Sequence, residues 1–461
     1  MATSYLGPVD PPSFMVPLAR YKYLAEVGEK GSMGYTGIDP SFKDLFGPLE
    51  PMEQPRSSPC VLCKGSKNLC GKDKCALMVK YYARSRTVKM LDSVDLAGSS
   101  PPGVFIGRYG YPKVEVGPLV PPEFGDTSPM DTPETWVGKS IEEIVDFRFR
   151  LVRGKFQVGV KEFQNAGRMM DYTRDLGLCV NSVDVEANFA KRPSGKIVLD
   201  DEIQPFGPSA KLNSFDISNP KYDQKVEKAF YDTDLKAVEA VGNLYKDGVL
   251  ISRIQKAFSV GAFGIERNRR LVPTRWSITA VDDTLGKQLL KVTKTYPTID
   301  DWRVYDWDQL DNRWSVLLMP TSWRYELIEA WYPNTAWNPM GKQIEVISSH
   351  ELFNGRKEYA EIGGCYYAAR LAVNELLMKE RRQAGAVIFR EAHPGYIMPV
   401  GVWNVRENVR RALAQKCSRF PSLNEALTHV SKRMDIPMRR WISTSEVLKD
   451  YLRQRRIDDY A

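Results

Sequence analysis

The sequence predicts a mixed α/β or α+β N-terminal domain that opens with a four-cysteine module, followed by a mainly helical C-terminal domain. Three observations lead there. Four of the seven cysteines fall inside sixteen residues, CVLCKGSKNLCGKDKC at 60–75. Short alternating apolar stretches and helical repeats then interleave between 91 and 335 without the regular strand–helix count of a parallel βαβ fold. Beyond residue 345 helical spacing dominates. At 461 residues the chain is longer than one hydrophobic core normally fills, so more than one domain is expected.

Composition narrows the class. The chain is 43% hydrophobic and 26% charged, as an ordinary globular protein is. No apolar run approaches the ~18 residues of a membrane span. The start, MATSYLGPVDPPSF, has neither the basic head nor the apolar stretch of a signal peptide. A cytosolic protein is expected, and cytosolic cysteines normally stay reduced.

Residues 1–59 hold nine prolines and six glycines with little periodicity and read as an extended arm. The cluster after it has the spacing C-x2-C-x6-C-x4-C, with Gly65 and Gly71 permitting tight turns. Such spacing lets Cys60, Cys63, Cys70 and Cys75 converge on one tetrahedral ion, so a structural zinc is expected. An iron–sulfur cluster or a redox disulfide pair would use the same residue type. Four sulfur ligands leave no open position for water, which makes the site architectural. Lys64, Lys67, Lys72, Lys74, Lys80, Arg84, Arg86 and Lys89 surround it against the single acid Asp73. With Tyr81 and Tyr82 available to stack on bases, this 60–90 region is a nucleic-acid-facing candidate, or else a solvated basic face.

Further along, VFIGRYGYPKVEVGPLVPP suggests brief strands and tight turns. KSIEEIVDFRFRLVRG predicts a helix capped by Ser140 with Glu143 in capping-box position. LCVNSVDVEANF and SGKIVLDDEI read as strands, and DLKAVEAVGNLYKDG as a helix ended by Gly248. Trp302, Trp307, Trp314, Trp323, Trp331 and Trp337 crowd one stretch and are expected in the core or at a domain interface. YPNTAWNPMGK is the linker candidate, EYAEIGGCYYAARLAVNELLMKERR a helix, and 345–450 a helical domain before the tail at 451–461. The charge is uneven: residues 379–461 carry 17 Lys and Arg against 9 acids, and the rest of the chain is balanced. A surface facing nucleic acid or an acidic partner would use that excess; helices covered in solvated arginine would also show it.

Together, the cysteine cluster, VFIGRYGYPKVEVGP, LVPTRWSITAVDD and HELFNGRKEYAEIGG resemble the archaeal Nre DNA repair proteins, from Cys60 to the last residue. The resemblance implies a four-cysteine zinc finger at Cys60, Cys63, Cys70 and Cys75, a separate C-terminal domain, and a terminal motif that binds the sliding clamp PCNA. The ending QRRIDDYA fits that motif in part. Gln454, Ile457 and Tyr460 lie three apart, the period of a 3₁₀ turn, so they would stack on one side as a plug for an apolar pocket. Ala461 stands where the motif has a second aromatic, which should weaken binding by ~1 to 3 kcal/mol.

Three functional readings follow: a clamp-recruited repair factor that contacts DNA, a DNA-processing enzyme with its site between 180 and 400, and an adaptor for proteins only. For an enzyme, Asp282 with Asp283, or Asp184 with Glu186, could hold the metals of a nuclease. Arg275, Tyr366, Tyr367 and Glu391 have the residue types of an NAD-dependent DNA-modifying transferase. Paired surface acids are the simpler account of the carboxylates. No GxxxxGK[ST] loop is present, and HELFNGRKE lacks the second histidine of a zinc-protease helix.

Overall fold

The computed structural model describes residues 75–194 and 206–453, apart from 219, 334, 336 and 339–341. The arm at 1–59, most of the cysteine module, nearly all of SGKIVLDDEI and the tail from Gln454 lie outside the described residues.

A helix over Ala76–Lys89 (α1) leads into strands β1 (Asp95–Ser100), β2 (Val104–Ile106) and β3 (Lys113–Val120). Helix α2 (Ile141–Arg150), β4 (Val152–Gly159), α3 (Arg168–Leu178), β5 (Val183–Phe189) and β6 (Ser209–Ile217) follow. The six strands form one sheet in the order β1-β5-β6-β4-β3-β2. Only β4 beside β6 is parallel. Ser100 Oγ donates to the Leu119 carbonyl at 3.0 Å, which ties β1 back to β3 and curls the sheet.

Local sequence accounts for these pieces. Ser140 Oγ accepts the Glu143 N–H while the Glu143 carboxylate accepts the Ser140 N–H, so the expected capping box is complete at the start of α2. Val183, Val185, Ala187 and Phe189 point into the core from β5 and Asp184 and Glu186 point out, the two-residue period of a strand with one wet face. Helix α3 packs against this sheet, and α4 (Gln224–Tyr231), α5 (Ala237–Lys246) and α6 (Ile251–Ser259) extend the same core, α6 lying on α3. The chain leaves α5 at Gly248, whose φ of +80° is one that side-chain-bearing residues rarely adopt.

Helix α7 (Thr274–Thr293) connects to a second sheet, built from β7 (Trp302–Gln309), β8 (Asn312–Met319), β9 (Tyr325–Trp331), β10 (Glu345–Glu351), β11 (Gly385–Ala392) and β12 (Ser418–Phe420). The order is β10-β9-β11-β8-β7-β12, with β11 parallel to β9 and the other pairs antiparallel. Helices α8 (Gly364–Glu380) and α9 (Trp403–Leu413) cover one face, where Ile388, Val316 and Leu327 meet Val373 and Val409. Helices α10 (Leu423–Arg433), α11 (Met438–Thr444) and α12 (Glu446–Arg453) cover the other, where Val387, Phe389 and Ile328 meet Leu427, Trp441 and Leu448. This corrects the expectation of a mainly helical C-terminal domain: it is a helix–sheet–helix sandwich. Its central strand β11, GAVIFREA, is buried on both faces, so it lacks the polar–apolar alternation that marks a strand in sequence. YPNTAWNPMGK joins β9 to β10, adjacent antiparallel strands of that sheet. Trp314, Trp323 and Trp331 are fully buried within the sandwich, whereas Trp337 is exposed. Among the described residues no helix is long and apolar enough to cross a membrane.

Helix α7 holds the two halves together. It runs 20 residues, about 30 Å at 1.5 Å per residue. Its Val281 and Leu285 belong to the core of the first sheet and Leu290 to the second. At its middle Asp282, fully buried, accepts from Arg406 Nη1 of α9 at 2.9 and 3.1 Å and from Gln255 Nε2 of α6 at 3.0 Å. The network extends through Arg406 to Glu407, from Glu407 to Arg410, from Arg410 to Glu375 of α8, and from Glu375 to the Tyr245 hydroxyl of α5. Removal from water lifts the Asp282 carboxyl to about 6 despite Arg406 and Arg410 beside it.

Two consequences can be measured by urea denaturation. Arg406→Met leaves Asp282 buried without its cation and should cost about 3–5 kcal/mol at pH 8. A carboxyl raised in the fold contributes stability below its unfolded value near pH 4 and loses it as pH rises through about 6. The deficit of Arg406→Met should therefore shrink between pH 8 and pH 5, where Asp282 takes up a proton. A deficit independent of pH would contradict this assignment.

Candidate functional site

Of the expected metal ligands only Cys75 lies among the described residues. It adopts an extended conformation (φ −85°, ψ 118°) as the N-cap of α1 and is half-buried. The first turn of α1 carries no acid, and the Cys75 side chain makes no capping hydrogen bond to it. Cys75 forms no disulfide with Cys179, Cys365 or Cys417. Cys60, Cys63 and Cys70 lie outside the described residues, as do Lys64, Lys67, Lys72, Lys74 and the tail residues Gln454, Ile457 and Tyr460.

Helix α1 packs on α2 and adds Ala83 and part of Val79 to a core with Trp136, Ile144 and Trp403. Between the two helices runs a largely apolar groove of about 310 Å³, lined by Cys75, Met78, Val79, Tyr82, Arg86 and Glu142. Arg84 is half-buried, and Arg86, though exposed, gives two hydrogen bonds to Asp146 at 2.6 and 3.1 Å. Its charge is thus matched within the fold. Tyr81 and Tyr82 are both exposed and meet edge to face with ring centres 5.8 Å apart.

The carboxylates weighed for catalysis are not brought together. Asp282 faces inward onto Arg406, while its neighbour Asp283 is bound by Arg370 and Lys287. Asp184 and Glu186 share the outer face of β5, as the spacing predicts, and Asp184 accepts from Ser99 Oγ at 2.5 Å. Tyr366 and Tyr367 pack around Arg370 on α8, and Arg275 is exposed at the start of α7. Glu391 is directed elsewhere: its oxygens accept the Ile436 N–H at 2.8 Å and the Asp435 N–H at 3.2 Å and meet His393 Nε2 at 3.0 Å.

Glu391, His393 and Asp435 are, among the described residues, the set whose ligand atoms lie within 4.8 Å of one another, close enough for a single ion. Asp435, however, is already paired with Arg313 at 2.5 Å, and His393 stacks on Tyr332. The cluster serves first to fasten the turn after α10 to the end of β11. Nothing in the sequence marked it, because Asp435 arrives from 44 positions beyond Glu391. Much of the basic excess near the C-terminus is likewise matched internally: Arg390 with Glu329, Arg410 with Glu375, Arg419 with Asp301 and Arg433 with Asp308.

Comparison with known proteins assigns the chain to a family. Residues 69–338 match the family model "Archaeal Nre, N-terminal" and residues 351–460 match "Archaeal Nre, C-terminal". The interval between them, residues 339–350, includes all of β10 but its last residue, within the second sheet. The chain is 44% identical over 391 residues to the DNA repair protein NreB of Archaeoglobus fulgidus, covering 85% of this chain and 97% of that one. It is 38% identical over 377 residues to NreA of the same organism, covering 82% and 94%. Against NreA of Haloferax volcanii it is 33% identical over 352 residues, covering 74% and 84%. No solved structure matches the chain. Both halves of the described fold are thus spanned by these matches, and the chain belongs to the archaeal Nre family.

Proposed function

We propose that this protein is a DNA repair factor brought to DNA by the sliding clamp through Gln454, Ile457 and Tyr460 at its C-terminus. In this reading Cys60, Cys63, Cys70 and Cys75 hold a structural zinc. Lys64, Lys67, Lys72, Lys74, Arg84 and Arg86 lie around it on the side that meets DNA. The observation that carries the reading is similarity over 85% of the chain to a protein named for DNA repair. Cys75 is half-buried at the start of α1 and forms no disulfide with the other described cysteines, which leaves its sulfur available as one of the four ligands. The ion would fasten the basic segment to α1 and leave no position for substrate. Of the basic residues, Arg86 is shared with Asp146 and is less available for phosphate contact.

A nuclease centred on Asp282 and Asp283 is disfavoured, because arginines already occupy both carboxylates. The transferase grouping of Arg275, Tyr366, Tyr367 and Glu391 is disfavoured by the bonds of Glu391 to His393 and the 435–436 backbone.

Metal analysis and clamp titration test the proposal separately. Cys63→Ser should lower bound zinc from about one ion per chain and destabilise the fold around α1; unchanged zinc and stability would remove the metal from the account. Ala461→Phe restores the second aromatic and should tighten binding to the sliding clamp about tenfold, in line with ~1 to 3 kcal/mol for a buried ring. Tyr460→Ala should abolish measurable binding. Equal affinity for all three chains would show that the tail does not engage the clamp.

A further inference from the structure

The segment LFNGRKEY between β10 and α8 has a surface that neither the zinc nor the clamp reading uses. Leu352, Phe353 and Tyr359 are 45%, 47% and 42% exposed, an apolar group that a protein would ordinarily bury. The loop holding them is anchored. Arg356 donates to the His350 carbonyl at 2.8 Å and to the Glu361 carboxylate at 3.0 Å, and Gly355 turns the chain with φ +79°. Below it Arg370, buried, joins Glu351 to Asp283 of α7. Tyr359 rests against the Tyr367 ring at 5.3 Å.

The neighbouring face of α7 is basic. Lys287 and Lys291 are exposed, and Lys294 Nζ donates to the Phe353 carbonyl and lies 4.7 Å from the centre of its ring. Tyr359 is hydrogen-bonded to Thr279, near the other end of the helix. Fifteen residues separate Thr279 from Lys294, about 22 Å of helix. Phe353 and Tyr359 therefore mark the two ends of a strip whose lysines, Lys287 to Lys294, lie in the half nearer Phe353. The nearby acids are engaged: Asp283 by Arg370 and Lys287, and Glu361 by Arg356.

We infer that this strip binds single-stranded nucleic acid, with Phe353 and Tyr359 as platforms for unpaired bases and Lys291 and Lys294 along the phosphates, while Lys287 stays paired with Asp283. This inference rests on the proposed DNA repair role and specifies a surface for it. Lysines alone would suit a duplex equally well. Exposed rings at a fixed height among them select a strand whose base faces are free, because duplex bases are stacked on one another. At ~3.4 Å per stacked nucleotide the strip would span on the order of six nucleotides.

The test uses the full chain and a fluorescently labelled oligo(dT) of about 16 nucleotides, with a duplex of equal length as the second probe. Phe353→Ala and Lys291→Glu change exposed side chains, and thermal melting verifies that each folds. Both should weaken oligo(dT) binding at least tenfold and change duplex binding less than twofold. Lys291→Glu should also reduce the salt dependence of binding, whereas Phe353→Ala should leave it unchanged. If the parent chain binds oligo(dT) and both folded variants bind it equally well, this surface is ruled out while the repair reading stands. Equal weakening for duplex and single strand would overturn the selectivity for unpaired bases. If the parent chain binds neither probe, the inference and the DNA-contacting part of the proposed function fall together, and the apolar strip is left as a protein-docking face.

Discussion

The arrangement depends on the burial of the Asp282 charge opposite Arg406. Neither residue has access to water, and each partner is the principal compensation for the other. Because Asp282 sits in the middle of α7 and Arg406 on α9, the pair fixes the helix shared by the two cores against the helices of the C-terminal sandwich. Gln255, Glu407, Arg410, Glu375 and Tyr245 continue the chain of bonds across α5 to α9. A polar network of this kind favours one relative placement of the elements, since any slip would strand a charge in an apolar environment.

Buried ionic groups recur as positioning devices elsewhere in the molecule. Glu326, on β9, receives the N–H groups of Glu446 and Val447 at 3.0 Å and so binds the start of α12 to the sheet. Arg390, on β11, is surrounded by the rings of Trp314, Trp331 and Tyr396 and bonded to Glu329 at 2.6 Å. The planar guanidinium can satisfy both kinds of neighbour at once, which a lysine cannot. These arginines and acids look in the sequence like charges for an outer surface. Their inward use shows that local charge counts alone are a poor guide to the nucleic-acid face, and it moves attention to lysines, few of which are drawn inward.

How much could be read from the sequence depends on how local the physics is. The capping box of Ser140 and Glu143, the alternation of β5 and the stop at Gly248 involve neighbours a few residues apart, and all appear where the pattern placed them. The sandwich was not legible, because β11 is apolar on both faces and β10 enters from beyond a stretch rich in turn residues. The role of Asp282 was also hidden, since its partner is 124 residues away. The same distance effect concealed the Glu391, His393 and Asp435 cluster. The cysteine spacing and the terminal Gln-Ile-Tyr pattern were visible because each is a short-range motif, and they supply the two ends of the functional reading.

The two ends make one claim, that this protein acts where the clamp holds it on DNA. The most direct measurement is its residence time on primed DNA carrying a loaded sliding clamp, compared with the same DNA without the clamp and with a chain ending at Arg453. The account predicts that the clamp lengthens residence of the full chain at least tenfold and has no effect on the shortened one. Equal residence of the full chain with and without the clamp would contradict it.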